Sequence, residues 1–271
     1  MSTSNDYVLG THDAEMLRLG FQHQVWAAAA YQQWYRARFL PGQTLLDVGC
    51  GPGHTTRDLA GLAGASGHVI AVDESEKFVD LVRTEPRPPG TAPIEARVCD
   101  VQKLDLSPDS IDGAYSRWVL CFVPDPLAVV KGVARALKPG AAFAVQDYYR
   151  YTAIVLAPQS EAFRRVIRAV DESWRKRGGD PDVGCRIPAL FEQSGLTVTE
   201  VRPIIRTARP NDLLWQWPTT FFRIFVPSLV GMGMLTKEDQ AAFEREWAAR
   251  SADPGAFFAS PPMIEIIGVK R

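Results

Sequence analysis

From residue 44 onward, short runs of β-branched and apolar residues alternate with helix-length stretches of mixed polarity. The runs 44–48, 69–72, 94–98, 111–115 and 142–146 read as buried strands, with helices predicted over 55–63, 76–83 and 127–137. Parallel strands need crossovers of helix length, so this order predicts a parallel sheet wrapped by helices. Upstream, 14–19 and 25–39 read as two helical stretches, with Ala27 to Ala30 and the rings of Trp26, Tyr31, Trp34 and Tyr35 mixed through them. Pro41-Gly42 ends that segment.

The alternation breaks after Asp147, where 148–184 reads as a helical excursion. A helix over 187–194 and a strand over 197–201 then resume the pattern. A second helical excursion, 204–260, carries Trp215, Trp217, Phe221, Phe222, Phe225 and Trp247 before a last strand at 263–269. Inserts placed late in such a sheet lie over the carboxyl ends of the strands, where these folds bind ligands, so both excursions are expected to form a cap.

Composition narrows the partners. The 271 residues are 46% hydrophobic, with 30 Lys+Arg against 31 Asp+Glu, which excludes a disordered chain and gives no global basic excess for nucleic acid. Cys50, Cys99, Cys121 and Cys185 form no CxxC or CxxH pattern, so no metal site and no disulfide framework is expected. No apolar signal segment opens the chain, and the tract 221–235 is broken by Arg223 and Pro227, short of the ~20 residues of a membrane span. A cytoplasmic protein without a membrane partner is expected.

The chemistry concentrates in Leu45-Leu46-Asp47-Val48-Gly49-Cys50-Gly51-Pro52-Gly53-His54, a buried strand running into a glycine turn and then a helix. Glycines at alternate positions let the backbone approach a ligand, and the helix start offers free N–H groups. The next predicted strand ends at Asp73, a carboxylate suited to gripping two ribose hydroxyls, so a nucleoside ligand is expected. His54 stands where a dinucleotide fingerprint has its third glycine, and no Lys-Ser/Thr pair follows the turn, which argues against NAD, FAD and a P-loop.

On these residues the chain resembles the class I S-adenosylmethionine-dependent methyltransferases, whose glycine motif has the form LLDVGCGPG. The resemblance covers 43–147 through VIAVDES, VCDVQKLDL, DGAYSRWVLCFVPDP and RALKPGAAFAVQDY. It implies a doubly wound, seven-stranded Rossmann-like α/β sheet with its last strand antiparallel, and S-adenosylmethionine as cofactor. By the family pattern Gly49, Cys50, Gly51 and Gly53 line the methionine end, Asp73 takes the ribose hydroxyls and Glu74 lies beside them. Asp100 and Val101 match the adenine positions, and Ser116, Arg117 and Trp118 match the loop beneath the methionyl group. The N-terminal stretch resembles the lid of small-molecule members, which makes Tyr7 and Trp26 candidates for the cofactor site, with plain packing as the alternative. The organisation expected is a helical lid over 1–40, a cofactor-binding core over 41–147, and the last strands with the cap inserts in 148–271.

A sulfonium methyl is already activated, so alignment and exclusion of water are the chief demands, with a base added for acceptors that must lose a proton. All four histidines, His12, His23, His54 and His68, lie before the cap. His23 on the lid and Tyr148 at the end of the fifth strand are the candidates for removing a proton or orienting the acceptor. The cap rings suit an apolar or aromatic small molecule, or else form the cap's own core. No Asn/Asp-Pro-Pro-Tyr/Phe motif follows the fourth strand, and Ser116-Arg117-Trp118-Val119 stands there instead, which argues against adenine or glutamine amides as acceptors. The expectation is methyl transfer to oxygen, nitrogen or carbon of a small organic molecule, the chain acting alone or as a homodimer. The rivals are a macromolecular acceptor, or cofactor binding without methyl transfer.

Overall fold

Strand β1 (Thr44–Val48) lies third from one edge of a seven-stranded sheet in the computed structural model, which describes residues 13–271. After helix α1 (Asp13–Arg36) and β1, the chain forms α2 (His54–Ala63), β2 (His68–Asp73), α3 (Glu76–Thr84), β3 (Ile94–Val98), β4 (Ile111–Arg117), α4 (Pro126–Ala136) and β5 (Leu137–Tyr148). Next come β6 (Val155–Ala157), α5 (Glu161–Arg175), α6 (Ile187–Gln193), β7 (Leu196–Ile204) and β8 (Thr207–Ala208). The chain closes with α7 (Gln216–Gly231), α8 (Lys237–Ala252), β9 (Phe257–Ala259) and β10 (Met263–Lys270). The sheet order is β3-β2-β1-β4-β5-β10-β7, with β10 antiparallel to both of its neighbours. This is the doubly wound α/β architecture that the resemblance implies.

Local chemistry explains the punctuation. Ser75 and Asp125 cap α3 and α4 by accepting the N–H groups of Phe78 and Ala128, and Pro126 opens α4, where its missing N–H costs nothing. Both sheet faces are covered. Leu46, Val48, Ile70 and Val72 face one core and Leu45 and Val69 the other, which is why the parallel strands read as continuous apolar runs.

Two expectations need correction. The stretches expected at 14–19 and 25–39 belong to one helix, α1, because 20–24 continue it through Gly20, Phe21 and three polar residues. Its C-terminal half is stitched across three strands: Gln33 Nε2 donates to the carbonyls of Val145 and Ile266, and Arg36 pairs with Glu200 and Glu265. The excursions are also not purely helical. β6 and β8 flank β9 in an antiparallel three-stranded sheet that joins the first insert to the second, and segments this short carry too little periodicity to be seen beforehand. Buried residues of the cap, including Phe163, Trp215, Phe222 and Phe258, form one continuous cluster with those of the main sheet.

Candidate active site

The sheet order reverses between β1 and β4, and a cleft of about 600 Å³ opens at the carboxyl ends of β1 to β4. Its walls include Gly49, Cys50 and Gly51 after β1, Asp73 and Glu74 at β2, Asp100 and Val101 after β3, and Arg117 and Trp118 after β4. Helix α1 contributes Leu19, Gln22 and His23, and the segment after α5 contributes Arg177.

Three of the turn glycines have separate reasons to lack a Cβ. At Gly49 (φ +72°) a Cβ would sit 2.4 Å from Val119 Cγ2, and at Gly53 (φ +84°) 2.5 Å from Val82 Cγ2. Gly51 (φ +53°) would meet nothing within 4 Å, so its bare backbone faces the open cleft. Gly53 is the residue before α2 and packs against α3; it does not line the cleft. Asp73 holds this turn from the neighbouring strand, its two oxygens accepting Gly51 N–H (2.8 Å) and Ser75 N–H (2.9 Å). Burial pushes its carboxyl above the ordinary range against the pull of those two bonds. Glu74 is raised too, by burial and then by the nearby charges of Asp73 and Asp100.

The opposite end is organised around Arg117. His23 Nδ1 lies 3.1 Å from Arg117 Nη2 and His23 Nε2 lies 2.7 Å from Asp58 Oδ2. Arginine only donates, so Nδ1 accepts and the ring proton sits on Nε2, donated to Asp58. Asp58 also accepts the Tyr31 hydroxyl at 2.6 Å. Burial would raise the Asp58 carboxyl, but the bonds from His23 and Tyr31 outweigh it and hold it below the usual range. Both nitrogens of His23 are therefore occupied, and the geometry suits a group that orients Arg117. His54, stacked on His23 at 5.6 Å, is lowered to about 4, by burial first and then by the charge of Arg57.

Of the other expected residues, Tyr7 and His12 lie outside the described residues. Trp26 is fully buried behind Trp118, its ring edge-on to those of Trp118 and Trp217, and Ser116 is buried at the end of β4; neither lines the cleft. Tyr148 lines a second, smaller compartment on the far side of Trp118. The cap rings divide: Trp217, Phe221 and Phe222 line that compartment, while Trp215 and Phe225 belong to the cap's core. Sequence reasoning missed Gln22, Phe78 and Gln102 on the cleft wall; Gln22, next to His23, and Gln102, next to Val101, had neighbours to betray them, and Phe78 had none.

A ligand with a ribose, an adenine and an amino-acid tail fits these walls: open glycine backbone at one strand end, two carboxylates at the next, and a third acid beyond. Residues 46–145 match the family model of the methyltransferase domain. These residues form a methyltransferase domain. The 2-phytyl-1,4-naphtoquinone methyltransferase of Nostoc punctiforme is 32% identical over 153 residues, 56% of this chain and 63% of that protein. Among solved structures, the YcgJ protein of Bacillus subtilis superposes with a TM-score of 0.56 at 19% identity, covering 88% of this chain and 95% of that one. The cyclase SpnF does so with 0.53 at 15%, covering 90% and 80%. The chain spans about half the length of the first curated relatives it matches. Outside 46–145, α1 and the cap pack against the sheet.

Proposed function

We propose that this chain transfers a methyl group from S-adenosylmethionine to an oxygen, nitrogen or carbon atom of a small, partly apolar or aromatic organic molecule in a biosynthetic pathway. One observation carries the reading: the bare backbone of Gly51 and the carboxylate of Asp73 meet on one wall of a cleft at the switch point of a methyltransferase sheet. Bound there, S-adenosylmethionine would supply a methyl already activated on its sulfonium. Gly49, Cys50 and Gly51 would hold the methionine end, Asp73 and Glu74 the ribose, Asp100 and Val101 the adenine, and Arg117 and Trp118 the methionyl floor. Gly53, Ser116 and Trp26 support these groups from behind. The chain's own work is alignment and exclusion of water, for which α1 and the cap are placed.

His23 orients Arg117 in this reading. Burial raises the Tyr148 phenol well above its ordinary value, so it keeps its proton and orients an acceptor as a donor. The naphtoquinone methyltransferase relative favours an aromatic acceptor. We assign the chain to the cytoplasm: no helix among the described residues is long and apolar enough to cross a membrane, and the four cysteines are free. The net charge of −1 speaks against a nucleic-acid acceptor. The cyclase neighbour shares the fold, which keeps cofactor binding without methyl transfer as the second reading.

Calorimetric titration with S-adenosylmethionine and S-adenosylhomocysteine, then incubation of metabolite extracts with methyl-labelled cofactor, tests both steps. Absence of binding defeats the proposal, and binding without any labelled product favours the second reading. Light scattering on the same sample checks for the homodimer.

A further inference from the structure

Trp118 has a backbone that a bulky residue rarely adopts, φ +54°, which costs on the order of 1–2 kcal/mol. Two contacts hold it there: its N–H donates to the Gln146 carbonyl at 3.0 Å, and the next residue, Val119, packs against the bare Cα of Gly49. The strained backbone delivers the indole to a defined place. It forms a common wall of the 600 Å³ cleft and of a second compartment of about 40 Å³ lined largely by the cap. On the cleft side the Arg117 guanidinium lies 5.0 Å from its ring centre. On the cap side it is near-parallel to Tyr148 at 6.0 Å and to Trp217 at 6.4 Å.

The compartment's chemistry selects among acceptors. Its walls are aromatic, including Tyr148, Tyr151, Trp174 and Trp217, and Arg18 is the one formally charged residue among its described lining. Arg18 is bound bidentately by Glu15 at 2.6 and 2.7 Å. Glu15 balances the Arg18 charge and no carboxylate lines the space to balance a bound ammonium ion, so the rings and the tyrosine hydroxyls suit a flat, neutral, oxygen-bearing aromatic. The hydroxyls of Tyr148 and Tyr151 make no hydrogen bond within the described residues, and each is free to meet an acceptor oxygen. Gln22, on the wall of both spaces, accepts Arg18 Nη1 (2.7 Å) and Trp217 Nε1 (3.0 Å) on Oε1, which leaves its amide N–H groups for a ligand at the neck. The space is small, however: about 40 Å³ admits water, whereas a cavity of roughly 150 Å³ is the scale that takes a benzene ring.

We propose that Trp118 is a movable partition, and that the compartment behind it is the acceptor site for a flat, neutral, oxygen-bearing aromatic molecule, which displaces the indole on entry. This rests on the methyltransferase reading and adds the acceptor's class and the residue that admits it. The strain at residue 118 lowers the cost of displacement, because relaxing the backbone returns part of it.

The test uses the full chain, 2-naphthol as the aromatic probe and phenyltrimethylammonium as its cationic counterpart, with S-adenosylhomocysteine measured separately. A crystal structure with 2-naphthol is expected to show the ring against Tyr148 and Trp217, with the Trp118 indole moved from its present position. In solution, 2-naphthol is expected to bind at least tenfold more tightly than phenyltrimethylammonium. Ile154→Phe, which fills the compartment from its wall, is expected to weaken 2-naphthol at least tenfold while S-adenosylhomocysteine affinity changes less than threefold. The proposal is overturned by 2-naphthol lying on the Arg117 side with Trp118 unmoved, by failure to bind at millimolar concentration, or by the ammonium binding as well or better. If S-adenosylhomocysteine fails to bind the wild-type chain, the cofactor reading falls by that result alone, and the naphthol data still decide the compartment. Should Ile154→Phe not fold, the wild-type crystal and the comparison of the two probes decide the question.

Discussion

Replacing Asp73 with asparagine separates the structural role of its carboxylate from the ligand role proposed for it. Both oxygens already accept backbone N–H groups, Gly51 at 2.8 Å and Ser75 at 2.9 Å, so the residue is a strut for the glycine turn before any ligand arrives. Asparagine has one oxygen, and its NH₂ must then face one of those N–H groups. An unsatisfied polar pair of this kind costs about 1–3 kcal/mol, a fall of a few degrees in Tm for a chain of this size. The ligand role is additional. Hydrogen bonds from ribose hydroxyls to an ionised carboxylate contribute about 1.5–3 kcal/mol each, and loss of the charge weakens both. Taking about 3 kcal/mol for the pair, since neighbouring losses are not additive, S-adenosylhomocysteine should bind Asp73→Asn roughly 100-fold more weakly. Calorimetric titration gives the affinity and thermal unfolding the stability. If Tm falls but affinity stays within threefold of wild type, Asp73 is only a strut and its assignment to the ribose is wrong.

The glycines give a matched pair: Gly53→Ala should lose on the order of 2 kcal/mol or more of stability, since its Cβ would lie 2.5 Å from Val82 at a positive φ. Gly51→Ala should lose less stability but at least tenfold in S-adenosylhomocysteine affinity, because its Cβ enters the open cleft; equal behaviour of the two variants would remove the distinction. Burial raises Asp47 to about 7, against the bond from Thr56, so its contribution to stability is fully present below its unfolded value and is lost as pH rises through about 7. Asp47→Asn keeps the Thr56 bond and should gain on the wild type by roughly 1–2 kcal/mol between pH 5.5 and pH 8, and urea unfolding that shows no pH-dependent gain would contradict the assignment. His54 has the opposite sign: its neutral form is favoured, so its stabilisation is present above its ordinary value of 6.5 and is lost as pH falls towards about 4. His54→Gln should flatten that acid limb in the same unfolding series.

Most of the sheet was legible because period and punctuation agree. The runs at 44–48 and 94–98 coincide with β1 and β3, and the strands expected at 69–72 and 263–269 each extend by a residue or two. Asp125-Pro126 and Ser75 are start signals whose chemistry is local, so they work before any tertiary contact forms. The glycine turn and Asp73 were legible for a similar reason. Backbone conformation at a strand end and a carboxylate on the adjacent parallel strand are set by short segments and by a pairing rule. Positive φ at Gly49, Gly51 and Gly53 shows the turn that the spacing implied.

What lay beyond reach were relations between residues far apart in the chain. Nothing near His23 in sequence announces that Asp58 and Arg117 will occupy both of its nitrogens, the contacts on which its proposed orienting role rests. Nor does the local pattern separate Trp217, which lines the aromatic compartment, from Trp215 two residues earlier, which packs into the cap. Gly53 and Gly51 look equivalent in the motif, and only the tertiary structure sets one against Val82 of α3 and the other on the open cleft. Propensity, periodicity and turn chemistry act over a few residues and so are written along the chain. Hydrogen-bond partners, cavities and strain at a single indole depend on where distant segments come to rest, and that is settled only when the core closes.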